Sequence, residues 1–413
     1  MRSRSWGPVL PAFASLVIVA SAALLLIVAA TLPERSGRWD FSIYYASALM
    51  MRRGGNPYLE SIAPIGRRLG LETTPIERAD SMPTFVLCFE PLTRFSPRTA
   101  YWIWFWINLA ALVGALAILL APAAAGLYVS AALVVLAIIF PPVAIHFFWE
   151  QSQFIVLLAL AAAYRLSARG YDSGAALAIA SAALLRLFPL AMIGYFIVRR
   201  RWRVIGWLGV WLTLGAAATV AGIGAPRCLS YAGVLLALGG RDSLAMPAIL
   251  ALSPTNVSLA AFVSRPLYWL AGPDLPAALG VMRYIAIALG EFAVLFLTVR
   301  ATCGPNSDRD GRGFALWTAA LLMLAPVVWL HYLVLLIIPY LLGALAWMRG
   351  RMVDHTIRAA AVSCILIAIV TPALDVLDYR ATGFPAMLAA ESGFIAMCSA
   401  YAFAYRFAVQ DRA

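Results

Sequence analysis

The sequence contains no lysine; all 31 basic residues among its 413 are arginine. Charge of either sign is scarce, 12% of residues, and there are only three histidines, His146, His331 and His355. With 63% hydrophobic residues and a mean hydropathy of +0.87, the chain carries far more apolar surface than a soluble core of this length needs. The five cysteines (Cys88, Cys228, Cys303, Cys364 and Cys398) never form a CxxC pair. Their spacing excludes a thiolate metal centre and a disulfide framework, and leaves a single Cys88–Cys228 bridge open. The formal charge of +12 invites a nucleic-acid reading, but the arginines sit mainly at the ends of apolar runs, where they act as orientation signals. No nucleic-acid partner is expected.

What is present is a succession of apolar segments. A crossing takes roughly 20 apolar residues, and spans are expected near 9–32, 98–120, 125–142, 149–166, 204–224, 276–300, 313–328, 331–348, 357–374 and 385–407. Arg2 and Arg4 precede the first, whose apolar run is too long for a signal-peptide core and reads as an uncleaved anchor. Gly174–Val198 is different. Arg165 and Arg169 flank it on one side and Arg199, Arg200, Arg201 and Arg203 on the other, while Arg186 and Pro189 lie inside it. One crossing would place an arginine cluster outside, against the positive-inside tendency, and proline breaks a helix. The segment is therefore expected to form a hairpin of two short helices that returns to the cytoplasmic side, with both termini cytoplasmic. On that topology the inner segments hold 16 arginines against 5 acids and the outer ones 14 against 12, with Arg186, Glu291 and Glu391 in the membrane. The expected fold is an all-α polytopic membrane bundle of about ten spans plus a re-entrant hairpin, a single domain over 1–413. Two large outer loops, about 33–97 and 225–275, would carry stretches such as 40–53 and 231–238 along the interface.

The first of these loops holds the stretch around which the rest is organised. Asp40 opens a helical pattern, with Tyr44 and Ser47 on its face; Gly54 and Gly55 end the helix and Asn56-Pro57 turns the chain. The same topology brings Glu90, His146, Glu150, Gln151, Gln153, Asn256, Ser258, Trp329, His331 and Tyr332 to the outer face. Ionisable groups at membrane depth cost roughly 2.5–3.5 kcal/mol on insertion scales, so their retention points to function.

Several of these pieces resemble, in order, the pattern of glycosyltransferase family 87. Asp40-Phe41 with Tyr44-Tyr45, then Gly55-Asn56-Pro57-Tyr58, is similar to the family's first-loop signature. Glu150-Gln151-Ser152-Gln153 stands where members usually carry Gly-Gln-x-Asn, and Leu185-Arg186-Leu187-Phe188-Pro189 where a lysine is common. Asn256-x-Ser258 and Ala325-Pro326-Val327-Val328-Trp329-Leu330-His331-Tyr332 complete the set. The resemblance implies a GT-C-type bundle in a bacterial inner membrane with an extracytoplasmic site. There a sugar, mannose by resemblance, passes with inversion from a polyprenyl-phosphate donor to a hydroxyl of a lipid or glycan acceptor. Asp40 would be the general base, His331 and Arg186 would hold the donor phosphate, and Tyr44, Tyr45, Glu150, Gln151, Asn256 and Trp329 would contact substrate. Asp40 has no acidic neighbour in the sequence and hard cations want several oxygen ligands, so neither a metal nor another cofactor is expected.

Each residue has a plainer reading. Asp40 caps a helix, His331 belongs to an interfacial aromatic belt, and Asn256 caps a loop. Arg186 forms a buried ion pair with Glu291 or Glu391. A rival function from another class is a transporter or lipid flippase that uses Arg186, Glu291, Glu391 and the broken helix at Pro189. A glycan ligase acting on polyprenyl phosphates is a third reading.

Overall fold

The computed structural model describes residues 39–71, 78–121, 127–239, 253–272, 275–304, 310–376 and 384–410. The expected first span, 9–32, and both termini lie outside the described residues. In chain order the helices are α1 (Trp39–Arg52), α2 (Ala63–Leu69), α3 (Pro83–Phe89), α4 (Pro97–Leu120), α5 (Leu127–Ile138), α6 (Pro141–Trp149), α7 (Gln153–Ala168), α8 (Asp172–Leu185) and α9 (Ile193–Val198). They continue with α10 (Trp202–Ile223), α11 (Ala225–Gly239), α12 (Leu259–Ala271), α13 (Ala277–Thr302), α14 (Arg312–Leu324), α15 (Ile337–Met348), α16 (Asp354–Val376) and α17 (Phe384–Val409). Short 3₁₀ segments precede α4, α9 and α15. Among the described residues the β-pairing consists of one isolated bridge, Asn256 with Trp329.

The protein is an all-helical, multi-pass membrane bundle. Among the described residues six helices are long and apolar enough to cross a bilayer, and a seventh results if Val129–Ile138 and Pro141–Trp149, bent by 51°, count as one. Three segments expected as spans come out shorter, the first of them 125–142, where α5 has 12 residues. The one expected at 149–166 is the 16-residue α7. The one expected at 313–328 is the 13-residue α14, which stops where Ala325 turns extended ahead of Pro326.

The expectation for 40–53 is corrected. Every residue of α1 from Phe41 to Met51 is buried, so the helix is enclosed rather than lying on a surface. Phe41, Tyr44, Tyr45 and Ala48 join the main core, whereas Ile43, Ala46 and Met50 pack on Ile62. A helix apolar on both faces needs cover on both. Gly54, at φ +90°, ends it, and the Asn56 side chain receives the Tyr58 amide at 3.2 Å to form the turn. The second loop region grips this turn. Arg227 of α11 donates to the carbonyls of Gly54 (2.6 Å) and Gly55 (2.9 Å), and Asn56 Nδ2 donates to Ser230 Oγ at 2.9 Å. Cys88 and Cys228 are both free thiols, so the bridge left open by the sequence is absent.

The hairpin positions the site. α8 ends at Leu185, four residues before Pro189, whose ring cannot follow the Leu185 carbonyl in a helix and which has no N–H to offer it. The chain then returns through α9, and Arg201 donates to Asp172 Oδ1 at 2.6 Å and to the Ser167 carbonyl at 3.3 Å. Entry and exit of the segment therefore lie side by side. Asp310, bonded to Arg351 (2.9 Å) and Arg349 (3.2 Å), belongs to the same end, where Gly311 packs on Tyr164 of α7. Arg186, at the tip, lies at the opposite end, beside the start of α7. The 16 residues of α7 separate the two ends by about 24 Å.

Candidate active site

At the tip end, three chain segments distant in sequence meet in one hydrogen-bonded cluster. Asp40 stands in the first turn of α1, half-buried. Gln151, in the turn between α6 and α7, donates its amide to Asp40 Oδ2. The Gln151 Oε1 atom accepts from the Tyr44 hydroxyl at 2.8 Å and from Arg186 Nη2 at 3.0 Å. The same Arg186 nitrogen lies 2.5 Å from the Tyr44 hydroxyl, and Arg186 Nε donates to Ser152 Oγ at 3.1 Å. The guanidinium also lies 5.8 Å from the ring centres of Tyr44 and Phe85. A carboxylate and a guanidinium are thus joined through one glutamine without forming an ion pair.

Burial pushes the Asp40 carboxyl up to about 7, and the negative charge of Asp80 pushes in the same direction. The Arg186 charge and the Gln151 hydrogen bond oppose both. Asp80 is exposed, and its Oδ1 receives the Ser81 hydroxyl at 3.2 Å; the Ser81 carbonyl is held by Tyr58 at 3.1 Å. The sequence-based expectation that Asp40 has no acidic neighbour is corrected by this residue, which no motif marks. Among the described residues no group of three or more His, Cys, Asp and Glu is arranged to hold a metal.

His331 is buried in the 3₁₀ turn after Trp329, and its Nε2 atom has no hydrogen-bond partner in the protein. It adjoins Tyr332, ring centres 4.9 Å apart, and Tyr332 stacks at 5.3 Å on Phe188 from the hairpin tip. This contact ties the turn that carries His331 to the hairpin tip that carries Arg186. His146 serves packing. Its ring lies 3.6 Å from that of Phe154, and its Nε2 accepts from the Phe154 amide at 3.3 Å.

Comparison with protein-family models matches residues 82–326, more than half of the chain, to glycosyltransferase family 87. The chain belongs to that family. A search of curated proteins returned no match. The family match contains Gln151, Arg186 and Asn256 but neither Asp40 before it nor His331 after it. Those two join the site on geometry.

For this family 87 protein the cluster takes in Asp40, Tyr44, Gln151 and Arg186 directly, and His331 with Tyr332 through Phe188. Other residues expected at the site turn elsewhere. Tyr45 donates to the Phe95 carbonyl at 2.8 Å, on a different side of α1 from Tyr44. Successive helical residues diverge by about 100°. Glu150 lines a small pocket with Tyr101, Trp104, Asn108 and His146. Its backbone is left-handed, φ +57° and ψ +37°, which closes α6 and turns Gln151 toward Asp40. That conformation suits the glycine the family usually carries there. Asn256, fully buried, spends its side-chain oxygen on the amides of Val328 and Ser258, both at 3.2 Å. Trp329 is half-buried and pairs with Asn256 through the backbone.

The pairing of Arg186 with Glu291 or Glu391 is not formed. Glu391 pairs with Arg265 at 3.3 Å, and Glu291 is half-buried on α13. The residues that sequence reasoning missed are Asp80, Ser152 and Phe85. Ser152 alone carried a signal, lying inside the Glu150-Gln151-Ser152-Gln153 run.

Proposed function

We propose that the protein transfers a sugar from a polyprenyl-phosphate sugar to an acceptor hydroxyl of a glycolipid or glycan at the extracytoplasmic face of the membrane, with inversion and with Asp40 as general base. The observation that carries the reading is the single glutamine linking the Asp40 carboxylate to the Arg186 guanidinium. It sets a proton acceptor and a fixed cation at adjacent places, which a displacement at a phosphorylated C1 requires. Membership of a glycosyltransferase family supports the reaction class.

In this reading the acceptor oxygen attacks C1 as Asp40 removes its proton, the C1–O bond to phosphate breaks, and the departing lipid phosphate keeps the electron pair. A carboxyl poised near neutral pH combines an adequate ionised fraction with useful basicity. Arg186, its fork oriented by Tyr44, Gln151 and Ser152, faces the phosphate, and the unpartnered His331 Nε2 is free to bond it. Trp329, half-buried, offers an aromatic face to the sugar, whereas the Tyr44 ring is enclosed by Phe85, Phe89 and Trp104 and acts through its hydroxyl. The reaction is written without a metal or cofactor, and mannose is the donor sugar of first choice.

Purified protein in lipid, supplied with polyprenyl-phosphate mannose and a panel of glycolipid acceptors, should form product, and Asp40→Asn should lower its rate by roughly 10²–10⁴-fold while keeping the fold. Solute accumulation in proteoliposomes with no transfer to any acceptor would instead establish a transporter.

A further inference from the structure

A second buried charge system lies apart from the Asp40 cluster, and the reaction above leaves it without a task. Arg265 of α12 is 1% exposed and its Nη1 lies 3.3 Å from Glu391 Oε2 of α17. We infer that this pair is a positioning device that holds residues 253–258 against the segment carrying Trp329 and His331, and so fixes the phosphate side of the site. The inference rests on the sugar-transfer reading for its kinetic arm, but its structural arm is independent.

The connections can be followed atom by atom. Arg265 Nη2 donates to the Ser253 carbonyl at 3.1 Å and to the Asn256 carbonyl. One guanidinium thus fastens both ends of the turn that leads into α12, whose first turn is capped by Ser258 Oγ on the Ala261 amide at 3.1 Å. The fastened turn then binds the chain around Trp329 at three points. Val257 N donates to the Val328 carbonyl at 2.7 Å, Val328 N donates to Asn256 Oδ1 at 3.2 Å, and Leu330 N donates to the Thr255 carbonyl at 3.1 Å. His331 is the next residue. Without these bonds Ala325–Trp329, which is not helical, would have no other backbone ladder to set its course.

The residue types argue for aim over adhesion. Two apolar side chains would join α12 to α17 without desolvating any charge. They would offer no directed donors to the Ser253 and Asn256 carbonyls. Arginine supplies donors in a rigid fork, and Glu391 supplies the compensating charge that lets the fork be buried. Exchanging the two residues would keep the charge pairing and lose the carbonyl bonds, which separates the two roles.

The test compares Glu391→Gln, Arg265→Lys, the exchanged pair Arg265→Glu/Glu391→Arg, and the apolar pair Arg265→Leu/Glu391→Leu, with wild type, in lipid. The expected result is a tenfold or larger rise in KM for the polyprenyl-phosphate donor in every variant. The acceptor KM should stay within twofold of wild type and the acid limb of the rate profile should not move. Neither double variant should rescue donor KM, even where its thermal stability matches wild type. In parallel, single cysteines replacing Thr255 and Trp329 in a cysteine-free background should become several-fold more reactive to a small maleimide in each variant. Either a folded apolar pair or a folded exchanged pair with wild-type donor KM and wild-type labelling overturns the inference. If wild type transfers no sugar, the reading of the site fails, while the labelling rates still decide whether the pair holds the segment.

Discussion

Gln151 donates its amide to the carboxylate of Asp40, a residue 111 positions earlier in the chain. That bond joins the first loop to the turn between α6 and α7. The same glutamine's oxygen is held by Tyr44 and Arg186, so its orientation is fixed from both sides.

The first prediction concerns Asp40. As the base it must be ionised, so kcat/KM should rise about tenfold per pH unit up to about 7 and level off above it. Asp40→Asn should lower transfer by roughly 10²–10⁴-fold. The stability effect has the opposite sign. A folded-state value of about 7 lies above the unfolded one, so the folded protein binds the extra proton between the two and loses stability as pH rises through that window. Thermal melts should show Asp40→Asn gaining on wild type more at pH 8 than at pH 5.

Asp80 supplies a second handle on the same titration. Its charge raises the Asp40 value, so Asp80→Asn should move the acid limb of the kcat/KM profile to lower pH. An unmoved limb would show that Asp80 does not act on the base.

Glu150 holds a left-handed backbone that costs a non-glycine residue about 1–2 kcal/mol, and burial pushes its carboxyl well above the ordinary range. Glu150→Gly should therefore raise the melting temperature. The gain should be larger at pH 8 than at pH 5, because the proton held by the folded wild type is lost from the unfolded chain first. Melts at the two pH values check both the size and the sign.

For Arg186, loss of the fork matters more than loss of charge. Arg186→Lys keeps the cation but cannot reach Tyr44, Gln151 and Ser152 together, and charged hydrogen bonds contribute about 1.5–3 kcal/mol each. Catalytic efficiency toward the donor should fall on the order of 10- to 100-fold, and Arg186→Gln should fall further. Steady-state kinetics at varied donor concentration reads both.

Topology is open to direct measurement. In a cysteine-free background, Arg169→Cys and Arg200→Cys flank the hairpin, and both should react with an impermeant maleimide from one compartment. Glu60→Cys and Asp80→Cys should react from the other. Labelling of Arg169→Cys and Arg200→Cys from opposite sides would turn the hairpin into a crossing.

Much of the architecture was legible in the sequence because lipid-facing helices are written as apolar runs and broken by proline and glycine. The stop of α8 before Pro189 and the close of α1 at Gly54 follow from backbone chemistry that acts within one turn. The meeting of Asp40, Tyr44, Gln151 and Arg186 was expected from the hairpin topology and the family resemblance, not from any local pattern. Other features depend on directions that no local pattern records. Tyr44 and Tyr45 are neighbours in sequence, yet one faces Gln151 and the other the Phe95 carbonyl. Asp80 acts on Asp40 by charge from a separate turn, one that Tyr58 holds through the Ser81 carbonyl. Glu391 meets Arg265 rather than Arg186 because α12 and α17 pack together, a choice settled by tertiary contact alone.

The contact between Asp172 and Arg201 has one more consequence, for assembly. A segment whose two ends meet contributes an even number of passes, so every helix from Trp202 onward keeps the orientation it would have if the segment were absent. α8 packs on both α7 and α10, so the tip that carries Arg186 is set by the helices before and after it.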